Sequence, residues 1–124
     1  MSFIYIALFG LLGIFSRYAF GLWIGKIFPW SFPMGTLLIN ILGSFLIGIV
    51  YALGQEKLVL SRELTLGLIV GLLGGFTTFS SYSLDLLRMI ERREYLSALI
   101  YFNLSTLCGL GAVFSGAFLV RMKL

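Results

Sequence analysis

A chain of 124 residues that is 60% hydrophobic and 11% charged cannot hide its apolar surface in a soluble core of its own size. It has no histidine and a single cysteine, Cys108, which excludes an internal disulfide, a transition-metal or haem ligand set and any histidine-activated nucleophile. The net charge of +4 is spread over short polar stretches, with no basic run longer than Arg92-Arg93, so the charge fits membrane-facing ends and not a nucleic-acid site. An integral, all-α membrane protein is expected.

Four apolar runs, at roughly 3–25, 33–54, 64–88 and 95–120, each exceed the roughly 20 residues that cross about 30 Å of hydrocarbon. The first is too long and too rich in glycine for a cleaved signal peptide, and no small-residue cleavage site follows it. Pro29 and Pro33 turn the chain between the first two runs, and Ser61 is placed to cap the third. With neither linker nor repeat between the runs, residues 1–124 read as one four-helix transmembrane domain. Cys108 sits in an apolar helix and reads as a small packing residue.

Polar side chains inside the runs are few and placed. In helix one, Arg17 and Tyr18 follow Gly10, Gly13 and Ser16; Arg17 can snorkel to the headgroups or stand at the mouth of an anion path. In helix two, Thr36, Asn40 and Ser44 recur at i, i+4, i+8 and share a face with Gly43 and Gly48 close by. That face is either a close-packing seam or the wall of a wet cavity. The amide of Asn40 favours the cavity, because its hydrogen-bonding sites are hard to satisfy in a dry seam. Helix four repeats the spacing with Tyr101, Ser105 and Gly109, while Asn103 falls on another face and is given no role. Asp85 is the one carboxylate inside a run, with Arg88 one turn later to pair with it.

Helix three carries the most informative segment, Gly74-Gly75-Phe76-Thr77-Thr78-Phe79-Ser80-Ser81-Tyr82. Adjacent glycines weaken a helix, and the hydroxyls of Thr77, Thr78, Ser80, Ser81 and Tyr82 compete for backbone hydrogen bonds. A spanning helix tolerates such a stretch where it lines a polar pathway, so a deliberate interruption is expected here. With four spans, Lys57, Arg62, Arg121 and Lys123 lie on one side and Arg17, Lys26, Arg88, Arg92 and Arg93 toward the other. That balance gives no positive-inside bias, so the chain is expected to insert both ways and to pair with an inverted copy.

These residues resemble the Fluc/CrcB fluoride channel family over the whole length. The resemblance rests on Gly10, Gly13 and Arg17-Tyr18 in helix one, on Gly35-Thr36-Leu37, Asn40 and Gly43-Ser44-Phe45 in helix two, and most specifically on Gly74-Gly75-Phe76-Thr77-Thr78-Phe79-Ser80. It implies a fluoride-selective channel for passive export across the cell membrane, built as an antiparallel, dual-topology homodimer around a structural sodium ion. By position, the backbone carbonyls of Gly74 and Thr77 would hold that ion. Asn40 and Phe79 match the family's pore-lining amide and first phenylalanine, with Arg17 near the entrance, and Ser80, Ser81, Tyr101 and Ser105 match its polar track. At the second aromatic position the chain departs from the pattern: Tyr82 stands where the family usually has phenylalanine. Read without the family, Phe79 and Tyr82 are ordinary core packing.

Two other classes of function fit a small four-span chain. A small multidrug exporter also works as a dual-topology dimer, but uses a carboxylate in helix one, and there is no acidic residue before Glu56. A non-transporting assembly subunit would leave the interruption and the Thr36-Asn40-Ser44 face without a purpose.

Overall fold

The first apolar run folds as one long helix, α1 (Ser2–Ile27), which ends where Phe28 leaves helical geometry and its amide returns to the Ile24 carbonyl at 2.8 Å. A computed structural model describes residues 1–124, and every element in it is helical. Pro33 precedes α2 (Met34–Tyr51), which runs on through wider π-helical turns over Ala52–Glu56. Leu58, in the left-handed region at φ 52°, closes that end, and the next amide, Val59, reaches back to the Leu53 carbonyl at 2.9 Å. Ser61 then caps the third span, its Oγ accepting from the Leu64 amide at 3.2 Å.

The third span has two parts. α3 combines an α-helical turn at Arg62–Leu66, π-helical turns at Gly67–Leu73 and a last α-helical turn at Gly74–Phe76. After an interruption at Thr77 and Thr78 comes α4 (Phe79–Glu91). Arg93 ends α4 in the left-handed conformation at φ 58°, with the Glu94 amide on the Met89 carbonyl at 2.9 Å and the Arg93 amide on the Ile90 carbonyl at 3.0 Å. These are the two bonds of a Schellman motif, and they turn the chain into α5 (Tyr95–Lys123). Four stretches are long and apolar enough to cross a membrane: Ser2–Ile27, Met34–Glu56, Arg62–Glu91 and Tyr95–Lys123. The protein is a multi-pass membrane protein.

Alternate spans pack as parallel pairs, α1 with α3 and α2 with α5. Glycine makes both pairings possible, because apolar burial gives little drive between helices in lipid and association depends on close backbone approach. A Cβ at Gly13 would fall on the Leu72 carbonyl, and one at Gly75 would come within 2.9 Å of the Gly10 carbonyl oxygen. Between α2 and α5 the arrangement is reciprocal: Gly48 abuts the Val113 carbonyl and Gly116 abuts the Phe45 carbonyl. At the end of this second pair Glu56 receives both a 2.9 Å bond from Arg121 Nε and a second bond from its Nη2, a forked ion pair joining the tips of two spans.

Cys108 is exposed on α5, not packed inside as its apolar context suggested. It lies two helical turns beyond Tyr101, close to the same face of α5, and is exposed on the single chain all the same.

Candidate functional site

The interruption of the third span is two extended residues, Thr77 (φ −79°, ψ 160°) and Thr78 (φ −153°, ψ 120°). In an unbroken helix the Thr78 amide would serve the Gly74 carbonyl. Instead it donates to Asn40 Oδ1 at 2.8 Å, while Asn40 Nδ2 donates to the Thr78 carbonyl at 2.9 Å. The side-chain amide of α2 thus pairs with both backbone groups of one residue, as a neighbouring strand would. This answers the question posed by an intramembrane asparagine differently from a wet cavity alone: one acceptor and one donor of Asn40 are spent on holding the break, and the remainder face a recess.

Thr77 turns its side chain back onto α3. Its amide and its Oγ1 both donate to the Leu73 carbonyl, at 2.9 and 2.8 Å. Gly43 on α2 leaves room for the Thr77 methyl, which a Cβ there would strike. Across the break from α1, Arg17 Nη1 donates to the Thr77 carbonyl at 3.4 Å. The sequence placed Arg17 at an entrance or among headgroups; the structure directs it inward to the break, because its position on α1 lies beside the α1–α3 seam.

Thr78 also opens α4. Its Oγ1 accepts from the Ser81 amide and donates to Ser81 Oγ, both at 3.1 Å, and lies 3.4 Å from Ser80 Oγ. The first amides of α4 have no helical partner and carry the positive end of its dipole, an arrangement that favours an anion. Two recesses flank the break. One of about 240 Å³ is lined by Asn40, Gly43, Ser44, Thr77, Thr78 and Phe79. The other, of about 470 Å³, includes Arg17, Tyr18, Thr36, Thr78 and Ser81 in its wall. Thr78, gripped by Asn40, stands between them.

The two aromatic candidates differ in setting although their ring centroids are 5.6 Å apart. Phe79 is 79% exposed on the single chain, whereas Tyr82 is 8% exposed and its ring lies 5.1 Å from that of Tyr101. Tyr101 is fully buried, meets Phe32 edge-to-face at 5.5 Å and donates its hydroxyl to Asp85 Oδ2 at 3.1 Å. Asp85 lies 4.0 Å from Arg88 Nη1, at the limit of an ion pair, so Tyr101 is its nearer partner. Ser105, one turn beyond Tyr101 on α5, has a buried Oγ.

A family model for the CrcB-like protein, Camphor Resistance (CrcB), matches residues 4–117. The chain belongs to the CrcB family. It is similar to a protein of Leptospira interrogans named fluoride-specific ion channel FluC, 38% identical over 120 residues that cover 97% of this chain and 94% of that one. It is likewise similar to fluoride-specific ion channel FluC 1 of Moorella thermoacetica, 37% identical over 124 residues, 100% of this chain and 89% of the other. The protein of that name from Agrobacterium fabrum is 43% identical over 112 residues, 90% of each chain.

Within this CrcB chain the structure brings Asn40, Thr77, Ser80, Ser81 and Phe79 to the break, and sets Tyr82 against Tyr101 between α4 and α5, with Ser105 one turn further along α5. Gly74 contributes no side chain; its part is a carbonyl released when the Thr78 amide turns to Asn40. Sequence reasoning did not single out Thr78, the residue with the most hydrogen bonds at the site. The signal was present: a threonine three residues after a glycine pair and three before Ser81 is an N-cap pattern inside an apolar run.

Proposed function

We propose that the chain is a fluoride-selective channel giving passive export of fluoride from the cytoplasm, and that it works as an inverted homodimer. The observation that carries this reading is the Asn40–Thr78 pairing, which holds the third span open where an uninterrupted helix would present only satisfied backbone. The names of the relatives support fluoride as the ion. Asn40, Phe79, Tyr82 and Arg17 form the pathway, and Ser80, Ser81, Tyr101 and Ser105 the polar track beside it. Fluoride is the smallest halide and the strongest hydrogen-bond acceptor among them. A narrow path of aromatic ring edges, hydroxyls and helix-terminal amides can replace its hydration shell, while chloride is too large to be wrapped as closely. Export then needs no coupling: a negative-inside potential supplies about 2.3 kcal/mol per charge for each 100 mV.

Phe79 is 79% exposed on the single chain beside the polar recess, so its ring is free to meet a second copy. For the structural sodium ion, the oxygens of Gly74 and Thr77 are of the hard type such an ion takes. The Gly74 carbonyl is free of the Thr78 amide, and the Thr77 carbonyl keeps a lone pair beyond the long bond from Arg17. Two carbonyls per chain fall short of a full ligand set, so the site would be completed by the second copy. Bound there, the ion would supply positive charge that ties the two breaks together. Efflux from liposomes containing only this protein tests the function: fluoride should leave and chloride should stay. Efflux of neither ion would remove the channel reading.

A further inference from the structure

Arg17 is a cation without a carboxylate. It takes part in none of the protein's ion pairs, and its hydrogen bond runs from Nη1 to the Thr77 carbonyl at 3.4 Å. The α1–α3 seam puts it there. Gly13, one turn earlier, packs against the Leu72 carbonyl and the Phe76 amide, and Phe20, three residues later, meets the Phe76 ring edge-on at 6.0 Å. Arg17, between them, comes to the end of α3 where the chain breaks. That is the carbonyl end of a helix, the negative end of its dipole. In a continuous helix the Ser81 amide would serve the Thr77 carbonyl. Here it goes to Thr78 Oγ1 at 3.1 Å, and Arg17 is the donor in its place. A carbonyl at membrane depth with neither donor nor cation is costly, so this bond has a purpose on the single chain.

The same carbonyl is one of the two oxygens put forward above for a sodium ion. Two positive charges on one oxygen repel each other, and strongly so away from water. We infer that Arg17 stands in for that cation on the unpaired chain and gives way to it when two copies pair, an inference that rests on the cation reading above. One chain offers too few oxygens to hold the ion, so before pairing the guanidinium keeps the Thr77 carbonyl satisfied. Pairing supplies the missing oxygens, and the carbonyl passes from the guanidinium to the ion. The contact is easily given up, since N–H···O bonds usually run about 2.7–3.2 Å and this one is longer. Arg17 also has somewhere to go. It already stands with Thr36 and Ser81 in the wall of the recess of about 470 Å³, so release takes a change of rotamer and no movement of α1. Arg17 is thus a positioning residue that competes with the cation and sets how much sodium the pair requires.

The test titrates sodium into the full-length protein in detergent, with N-methylglucamine holding the ionic strength. Thermal unfolding by circular dichroism and the dimer fraction by cross-linking are the readouts. Arg17→Met removes the charge and the donor and keeps an unbranched side chain. Without sodium it should unfold at a lower temperature than the wild type, because the Thr77 carbonyl has lost its donor. Its half-maximal sodium concentration should nevertheless fall by at least about tenfold, because the competing charge is gone. At saturating sodium the two unfolding curves should meet or cross. Arg17→Lys keeps a positive charge on a flexible stem and should need nearly as much sodium as the wild type. If Arg17→Met does not fold, Arg17→Gln, neutral but still a donor, should show the same tightening. An arginine that only holds the seam together would, when replaced, lower stability at every sodium concentration and leave the sodium midpoint unchanged or raised; that result would overturn the inference. So would an Arg17→Lys midpoint that falls as far as that of Arg17→Met. A wild type indifferent to sodium would remove the cation site and the inference with it, an outcome distinct from a sodium-dependent wild type whose midpoint Arg17→Met leaves in place.

Discussion

Asn40 and Thr78 lie 38 residues apart in sequence and are joined by two hydrogen bonds, of 2.8 and 2.9 Å, between one side-chain amide and one residue's backbone. No other residue type supplies a donor and an acceptor in that geometry on so short a stem; glutamine carries the same groups one methylene further out. Asn40→Asp keeps the acceptor, loses the donor and sets a negative charge beside the path. Fluoride efflux should be abolished. Asn40→Leu removes both bonds and leaves the Thr78 backbone groups unpaired, at about 1–3 kcal/mol each if they stay buried. It should lose flux and lower the thermal stability of the solubilised protein. Wild-type efflux in both variants would show that the break needs no brace.

Phe79 offers a cleaner separation of function from folding. Because its ring is 79% exposed on the single chain, Phe79→Ile should leave the four helices intact. It removes the positive ring edge that an anion can approach and keeps an apolar side chain of moderate size. Flux should fall by at least about tenfold, the loss expected for about 1.4 kcal/mol of ion stabilisation, with unchanged helicity. Normal flux in Phe79→Ile would send the ion by another route and leave the ring as a contact between copies.

How much of this was readable beforehand depends on whether the cause was local. The four spans are apolar runs, the Ser61 cap is a local pattern, and the break follows from a glycine pair set against hydroxyls; all three show in a short window of sequence. The pairings are not local. Spacing puts Thr36, Asn40 and Ser44 on one face of α2 but does not say that the face meets Thr78. Asp85 has Arg88 one turn away, yet its hydroxyl partner is Tyr101, brought back by the turn between α4 and α5. Arg17 shows the same limit, since an arginine near a helix end points to headgroups or inward according to what the neighbouring helix presents. The π-helical turns at Gly67–Leu73 also escaped notice, because they place Gly71 and Gly75 against α1 through a register set by packing.

The Gly48–Gly116 crossing should be the least tolerant point of the α2–α5 seam. A Cβ at either position lands on a backbone carbonyl of the other helix, which cannot swing aside as a side chain can. Gly48→Ala and Gly116→Ala should each destabilise the solubilised protein by about 1–3 kcal/mol, the range for overpacking. Gly111→Ala, where a Cβ meets nothing within 4 Å, should be neutral or slightly stabilising through helix propensity. Thermal unfolding followed by circular dichroism ranks the three, and equal midpoints would mean the seam yields more readily than its backbone contacts suggest.

The proposed cation site separates backbone from side chain. Thr77→Ser keeps the hydroxyl that bonds Leu73 and leaves the Thr77 carbonyl where it is, so flux and dimer stability should change little. Gly74→Ile adds a β-branched side chain beside the released carbonyl and a Cβ only 3.4 Å from the Ile69 carbonyl oxygen. It should weaken the dimer in detergent and reduce efflux. Exchange of sodium for a large organic cation should reproduce the Gly74→Ile effect in the wild type. An indifferent response to that exchange, together with an intact Gly74→Ile dimer, would remove the ion from the structure's account.

The inverted pair is the reading with the most to lose from one measurement. Outside the membrane core, Lys57, Arg62, Arg121 and Lys123 stand at one end of the bundle, and Lys26, Arg88, Arg92 and Arg93 at the other. Four against four gives no direction to insertion, because orientation follows the side with the excess. Two of these charges, one at each end, are also partly neutralised in place, Arg121 by Glu56 and Arg92 by Glu94. A single cysteine introduced at Leu124, which leaves every charge in place, in a Cys108→Ser background, should therefore label from both faces of intact membrane vesicles in comparable amounts. Adding two lysines after Leu124 should tilt the distribution to one face and lower fluoride efflux in proportion, since pairs of opposite orientation become scarce. Labelling from one face only in the unmodified chain, with full efflux, would mean that two copies pair in parallel or that a single chain conducts alone.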